Sequence, residues 1–186
     1  MIIMDFSKFT SLKDIWIFGY ASLMWYPGFP FLESQTALLR GYHRALCIYS
    51  TRYRGTPQEP GLVMGLDRGG SCKGRAFLLA PADVPQVMEY LHKREMDTGT
   101  YAPKFLTIKL NSGRKVKAYH FLVRRDHKQY AGKLSFDDTV RLVRNGVGPK
   151  GTSIEYLENT IDHLKTMGIY EDQLQKICDS VKEKIN

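Results

Sequence analysis

The sequence predicts an α+β fold, in which strands come first and helices close the chain. Six strand-like apolar runs precede the last helices, and a single helical segment interrupts them. Asn111-Ser112-Gly113 lies between the last two runs and is typical of a hairpin turn. Strands grouped in this way, rather than alternating with helices, favour α+β over α/β.

The predicted strands are short runs rich in apolar, β-branched and aromatic residues. They cover residues 15–18, 45–50, 62–66, 76–79, 105–110 and 116–123. Three helices follow. Ser135, with Asp138 three residues later, forms a variant of the capping box and opens the first. The second opens near Thr152 or Ser153, and the third covers roughly residues 171–183.

Length and charge limit the classes of protein that fit this chain. Its 186 residues predict one domain, residues 1–186, with residues 1–13 as an N-terminal extension. A net charge of +8 favours an anionic partner, which could be a nucleic acid, an anionic surface or a small acidic substrate. Three cysteines without a C-x-x-C pair support neither a disulfide framework nor a cysteine zinc site. With no signal peptide and no bilayer-spanning run, we expect a cytoplasmic protein that does not bind membranes.

The helix between the strand runs directs a carboxylate toward the core. Asp83 is a suitable N-cap and Gly99 a suitable stop. The apolar positions between them recur at i, i+3, i+4 and i+7: Val84, Val87, Met88 and Leu91. One further step of four residues reaches Glu95. Because apolar surroundings disfavour a charged carboxylate, the pKa of Glu95 should be raised.

Periodicity alone leaves two interpretations of Glu95 open. In the first, the raised pKa prepares a general base, while His92, Lys93 and Arg94 reach water. In the second, which periodicity by itself favours, the helix frays and Glu95 swings out to pair with a lysine. The five histidines show no metal-ligand spacing, so we expect no metal site.

The stretch IWIFGYASLMW, residues 15–25, predicts a buried strand that ends abruptly in small residues. Backbone N–H groups in such a turn can point at one spot and bind an anion such as a carboxylate. A plain strand followed by a glycine-containing turn also fits this stretch. The chain has no G-x-G-x-x-G and no P-loop lysine, so a nucleotide phosphate is not indicated. Ser22 lacks a G-x-S-x-G elbow, which argues against a serine nucleophile.

Four segments together resemble the ChaC-like, glutathione-specific branch of the γ-glutamylcyclotransferase superfamily. FGYASLMW (18–25) resembles its Y-G-S-L signature, and HKREMDTGTY (92–101) resembles the segment that carries its catalytic glutamate. STRYRGTPQEPG (50–61) is similar to its S-T-x-x-R-G-x-P-x-x-P-G segment, and GPKGTSIEYL (148–157) to its G-P-x-G-x-x-x-E-Y-L segment. The segments occur in the family's order and cover most of the chain.

The resemblance implies a small mixed β-barrel with flanking helices and an enzyme without metal or other cofactor. Its implied substrate is glutathione, from which it releases 5-oxoproline and cysteinylglycine. The general acid/base corresponds to Glu95, and Tyr156 corresponds to a pocket residue. The γ-glutamyl-binding loop corresponds to Ile17, Phe18, Gly19, Tyr20, Ala21 and Ser22. The sequence does not indicate whether the protein is a monomer or a dimer.

One residue departs from the family signature: Ala21 stands where the signature has glycine. A positive φ at this position would strain an alanine, whereas a negative φ would make it harmless, and the sequence permits both. Arg52 and Arg54 flank a Pro/Gly-rich loop, where they could meet the glycine carboxylate of glutathione or be solvated.

Two rival functions are compatible with the same sequence. One is a cyclotransferase that acts on other γ-glutamyl amino acids or amines. The other is a basic RNA-binding module, which the net charge of +8 and eleven tyrosines suggest. The second rival lacks an RNP-like segment and a cluster of basic residues on one helix, so we expect no nucleic-acid partner.

Overall fold

A closed five-stranded β-barrel and four α-helices make up the computed structural model, which describes residues 14–183. The first barrel strand pairs antiparallel with one neighbour and parallel with the other, so the barrel is mixed. The predicted α+β fold with a small mixed barrel is therefore confirmed. The N-terminal extension predicted for residues 1–13 lies outside the described residues.

The strands are β1 (Trp16–Gly19), β2 (Glu33–Ser50), β3 (Gly61–Leu78), β4 (Tyr101–Leu110), β5 (Lys115–Val123), β6 (Val147–Gly148) and β7 (Gly151–Thr152). The helices are α1 (Val84–Glu95), α2 (Phe136–Asn145), α3 (Ser153–Thr166) and α4 (Asp172–Glu183). The barrel order is β1-β3-β2-β4-β5, while β6 and β7 form a separate two-stranded sheet.

Two strands are much longer than the sequence predicts. β2 begins at Glu33, well before the predicted run at residues 45–50. The runs at 62–66 and 76–79 belong to one strand, β3, because the segment DRGGSCKG between them is also extended. This segment is polar and glycine-rich, so apolar patterning cannot identify it. Backbone pairing of β3 with β2 holds it in the barrel instead.

The hairpin turn and the caps of α2 and α3 are confirmed, whereas those predicted for α1 are not. The Asp83 side chain makes no cap hydrogen bond, and α1 ends at Glu95 with Met96 as its C-cap, before the predicted stop at Gly99. At the hairpin between β4 and β5, the Leu110 N–H donates to the Arg114 carbonyl at 2.8 Å, and Gly113 has a φ of +88°. Ser135 caps α2 and Thr152 caps α3, since each side chain accepts the backbone N–H of the residue three positions later.

The described chain divides into two compact units. The first contains residues 14–43 and 68–122, and the second contains residues 44–67 and 123–183. In the second unit, α2, α3 and α4 pack on one another. The single domain inferred from chain length stays a prediction.

The core of the first unit lies between α1 and one face of the barrel. The stripe predicted on α1 is confirmed, because Val84, Val87, Met88 and Leu91 are all buried there. Strand residues that pack with them include Ile17, Phe77, Tyr119 and Phe121. Since side chains alternate along a strand, Trp16 and Phe18 of β1 face the other way, into the barrel, and both are fully buried.

Candidate active site

The predicted glutamyl-binding loop leaves β1 at Gly19 and turns at once into a short 3₁₀ helix, Ser22–Met24. The Met24 N–H donates to the Ala21 carbonyl at 2.8 Å, and the Tyr26 N–H donates to the Ser22 carbonyl at 2.9 Å. These bonds fold the segment back on itself. The buried strand therefore ends in a tight turn, as IWIFGYASLMW predicts.

A close backbone approach fixes the end of β1 against β3. A Cβ on Gly74 would clash with the Gly19 carbonyl oxygen and would lie 2.8 Å from the ring of Phe18. A Cβ on Gly19 would lie 3.0 Å from the Cβ of Leu23 in the turn that follows. Glycine at position 74 thus allows the strand that leads into the loop to pack closely.

Gly74→Ala should therefore destabilise the protein. The new methyl group would overlap a backbone oxygen, which cannot move aside as a flexible side chain can. We expect the free energy of unfolding to fall by about 1–3 kcal/mol, the usual range for overpacking, as measured by chemical denaturation. Ser71→Ala, at an exposed position of the same strand, should stay close to wild type. Equal stability of the two variants would contradict the close approach.

Ala21 adopts a φ of −142°. Within residues 14–183, every residue with a positive φ is a glycine. Alanine at this position therefore carries no left-handed strain, so the departure from the family signature meets no positive φ that would require glycine. The Ala21 side chain is buried, so the position has room for a small residue.

Glu95 is the last residue of α1, and its side chain is only 15% exposed. Burial raises the pKa of its carboxyl, against the lowering effect of the charge and hydrogen bond of Arg94. The predicted direction of the shift is confirmed. The alternative in which Glu95 swings out to a lysine is wrong, because its partner is the Nε of Arg94, 3.1 Å from Oε1.

Arg94 does not reach water as the sequence suggests, since its side chain is 19% exposed. Its Nη1 donates to the Tyr26 carbonyl at 2.6 Å and to the Tyr90 hydroxyl at 2.9 Å. Its Nη2 donates to the Ser22 hydroxyl at 3.0 Å. Arg94 thus connects Glu95 with the loop after β1. Sequence reasoning missed this role, for which the only signals are its position beside Glu95 and a tyrosine one helical turn earlier.

His92 also makes contacts that the sequence did not predict. Its Nε2 lies 2.6 Å from the hydroxyl of Tyr119, and the two rings stack. Burial lowers the pKa of the His92 imidazole and raises the pKa of the Tyr119 phenol. Tyr119 is the partner of Ile17 across β1 and β5, so this pair lies beside the strand that leads into the loop. Lys93 is exposed, as predicted, and pairs with Glu89.

Tyr156, the predicted pocket residue, lies in the second unit and is buried. Its hydroxyl accepts the backbone N–H of Met64 at 3.2 Å. The guanidinium carbon of Arg54 lies 5.7 Å from the centroid of its ring. These contacts give Tyr156 a packing role within its own unit, and its role as a pocket residue stays a prediction.

The two remaining family-like segments meet in the second unit. Ser153 accepts the Leu62 N–H and donates to the Arg54 carbonyl, both at 3.0 Å. Arg54 also donates to the Thr152 carbonyl at 3.2 Å and pairs with Glu155 at 3.7 Å. Arg54 is therefore a structural partner of the start of α3 rather than a solvated side chain.

Within the described part of the chain, no three His, Cys, Asp or Glu side chains are placed to hold a metal ion. Cys47, Cys72 and Cys178 are buried and form no disulfide, and burial raises the pKa of the Cys47 thiol to about 12. Among residues 14–183 there is also no helix with the length and apolar character needed to cross a bilayer.

The barrel has the fold of the γ-glutamylcyclotransferases. A crystal structure of the γ-glutamylcyclotransferase specific to glutathione from yeast matches it with a TM-score of 0.83 at 22% identity, covering 91% of this chain and 96% of that one. At this identity, the match shows the fold alone. In sequence, residues 15–184 match the family described as ChaC-like protein, and the chain belongs to this family.

Curated relatives share most of their length with the chain. The glutathione-specific γ-glutamylcyclotransferase of Escherichia coli K12 is 38% identical over 169 residues, which are 91% of this chain and 73% of the relative. Glutathione-specific γ-glutamylcyclotransferase 1 of the mouse is 29% identical over 175 residues, 91% of this chain and 78% of the relative.

Proposed function

We propose that this protein is a glutathione-specific γ-glutamylcyclotransferase, which cyclises the γ-glutamyl group of glutathione to 5-oxoproline and releases cysteinylglycine. The names of the Escherichia coli and mouse relatives support this substrate and reaction. One observation of the structure carries the proposal. Glu95 is a buried carboxylate with a raised pKa, and Arg94 joins it to the loop after β1.

The chemistry requires a group that both accepts and returns a proton. The α-amine of the substrate attacks its own γ-carbonyl carbon, a five-membered lactam forms, and the bond to the cysteine nitrogen breaks. At neutral pH the amine is mostly ammonium, so it must lose a proton before it attacks. The leaving nitrogen must gain one. We assign both transfers to Glu95, and the two products together contain all the atoms of glutathione.

The loop after β1 is assigned to the γ-glutamyl end of the substrate. Because the reaction is intramolecular, holding the flexible arm in its ring-closing conformation supplies much of the rate enhancement. Backbone N–H groups of residues 19–22 would hold the α-carboxylate, and the close packing of Gly19 against β3 supports a fixed loop. The residues assigned to this binding role are Ile17, Phe18, Gly19, Tyr20, Ala21 and Ser22.

The direct test is to incubate the purified protein with glutathione and to measure 5-oxoproline and cysteinylglycine. A parallel panel of γ-glutamyl amino acids and a γ-glutamyl amine of lysine separates the proposal from its nearest rival. We expect turnover of glutathione to exceed that of the other substrates. Faster turnover of the panel would assign the chain to another cyclotransferase activity, and no 5-oxoproline from any substrate would contradict the proposed reaction.

The pH dependence should report the raised pKa of Glu95. As pH falls through that pKa, the carboxylate becomes protonated and the base is lost. The acidic limb of kcat/KM should therefore lie above the reference value for glutamate of about 4.3. A profile of kcat/KM from acidic to neutral pH measures it. If the limb lies at the reference value, a solvated carboxylate controls the rate instead.

We further propose that the protein acts in the cytoplasm. Its three cysteines, all within the described residues, form no disulfide, which is the usual state in a reducing compartment. Its substrate carries a thiol that such a compartment keeps reduced. Fractionation of cells that produce the protein, with detection in the cytoplasmic fraction, tests this proposal.

A further inference from the structure

The contacts of Arg94 use nearly all of its hydrogen-bond capacity. An arginine has five N–H donors. Nε faces Glu95, and Nη2 donates to Ser22. Three acceptors surround Nη1 at 2.6, 3.3 and 2.9 Å: the carbonyls of Tyr26 and Pro27 and the hydroxyl of Tyr90. At most one donor, on Nη2, is left for a ligand, so Arg94 is better placed to hold protein groups than to bind substrate.

We propose that Arg94 is a positioning residue that locks the Glu95 carboxylate and the loop after β1 into one arrangement. This inference rests on the proposed function, in which these two parts act on the same substrate. A guanidinium is planar and rigid, so a single group bonded to Glu95 at Nε and to Ser22 at Nη2 fixes the distance between them. Lysine, with one flexible ammonium, cannot do the same.

The loop is anchored on both sides of the residues that Arg94 holds. On one side, Gly19 packs closely against β3. On the other, Phe29 is buried with its ring edge-on to Phe77, and Gly28 lies directly against the hydroxyl of Tyr90. Between these anchors, backbone hydrogen bonds close the turn, and Arg94 adds bonds to Ser22 and to the Tyr26 carbonyl. Its guanidinium also lies 5.5 Å from the ring centroid of Tyr26. Arg94 therefore ties an already folded turn to Glu95.

The charge of Arg94 also opposes the protonation of Glu95. Among the described residues, the titratable groups that pack with or follow α1 include Tyr90 and His92 on the helix, Asp97 after it, Tyr101 of β4 and Tyr119 of β5. None of these is cationic at neutral pH, since burial lowers the pKa of His92. Lys93 points away to Glu89. Arg94 is thus the cation whose charge and hydrogen bond lower the pKa of Glu95 against the effect of burial.

The test compares Arg94→Met and Arg94→Lys with Lys93→Met in the full-length protein. Methionine keeps the length of the side chain and removes its charge and donors. With glutathione, we expect Arg94→Met to lower kcat/KM at neutral pH at least ~10-fold and to move the acidic limb up by about one pH unit. Arg94→Lys keeps the positive charge, so the acidic limb should lie at its wild-type pH, while kcat/KM should stay below wild type. Lys93→Met removes the same charge from an exposed neighbour and should match wild type.

A second readout needs no turnover. The ¹³C carboxyl signal of Glu95 can be titrated in each variant, and thermal unfolding shows whether each variant is folded. An unshifted titration in folded Arg94→Met overturns the proposal. If Arg94→Met does not fold, Arg94→Lys decides the question. A wild-type kcat/KM in Arg94→Lys overturns the proposal, whereas a reduced kcat/KM with the acidic limb at its wild-type pH supports it. If wild type releases no 5-oxoproline while Arg94→Met shifts the titration, the proposed function fails, whereas the contact between Arg94 and Glu95 stands.

Discussion

Glu95→Gln should lower the turnover of glutathione by roughly 10²-fold or more, the range expected when a general base is lost. Glutamine has nearly the shape of glutamate, and its amide oxygen can still accept from Arg94. It cannot take a proton from the substrate ammonium at neutral pH. Initial rates of 5-oxoproline release measure the loss, and thermal unfolding should show a protein that is still folded.

Glu89→Gln is the matched control for this experiment. Glu89 lies on the same helix, is exposed, and pairs with Lys93 rather than Arg94. The Glu89→Gln substitution changes the net charge by the same amount as Glu95→Gln and should leave turnover close to wild type. Near-normal turnover in Glu95→Gln would remove this carboxylate from the mechanism, whatever the control shows.

Glu95 experiences two opposing influences, and their balance suits the proposed role. Burial alone would favour the protonated form, which cannot act as a base. The ion pair with Arg94 alone would favour the charged form and lower the pKa, which would make the carboxylate a weaker base toward the substrate ammonium. A group that must accept and then return a proton works best when its pKa lies near the working pH.

The sequence predicts those parts of the site that depend on local geometry. The stripe on α1 and the position of Glu95 follow from the helical period, because residues four apart lie on the same face. The caps at Ser135 and Thr152 depend on contacts within four residues, and both are correct. The break after β1 is visible because a buried apolar run ends in Gly19.

Other parts depend on contacts that are distant in the sequence. Arg94 reaches Ser22 only because the barrel brings the end of α1 beside the end of β1. No spacing of residues in the sequence predicts this contact. The middle of β3 is extended through pairing with β2, despite its polar and glycine-rich sequence. The φ of Ala21 is likewise a property of the folded turn, so the residue type alone permitted two outcomes.

The largest effect at the loop is expected from Ala21→Leu. Ala21 is buried, and its carbonyl accepts the Met24 N–H that closes the turn. A leucine side chain would need space that the packed turn does not have, so it should shift the backbone N–H groups of residues 19–22. Because a displacement of about 1 Å can cost ~10²-fold in rate, we expect a loss of that order in kcat/KM.

The substrate dependence of the loss distinguishes a glutamyl-binding loop from a general packing defect. Glutathione and a shorter γ-glutamyl dipeptide share the glutamyl end, so Ala21→Leu should impair both to the same extent. Ala21→Gly restores the family residue at a φ that glycine also adopts, and it should stay active with both. Thermal unfolding identifies any variant whose loss reflects unfolding. If folded Ala21→Leu turns over both substrates normally, the loop does not bind the γ-glutamyl group, because a leucine there could not leave its donors in place.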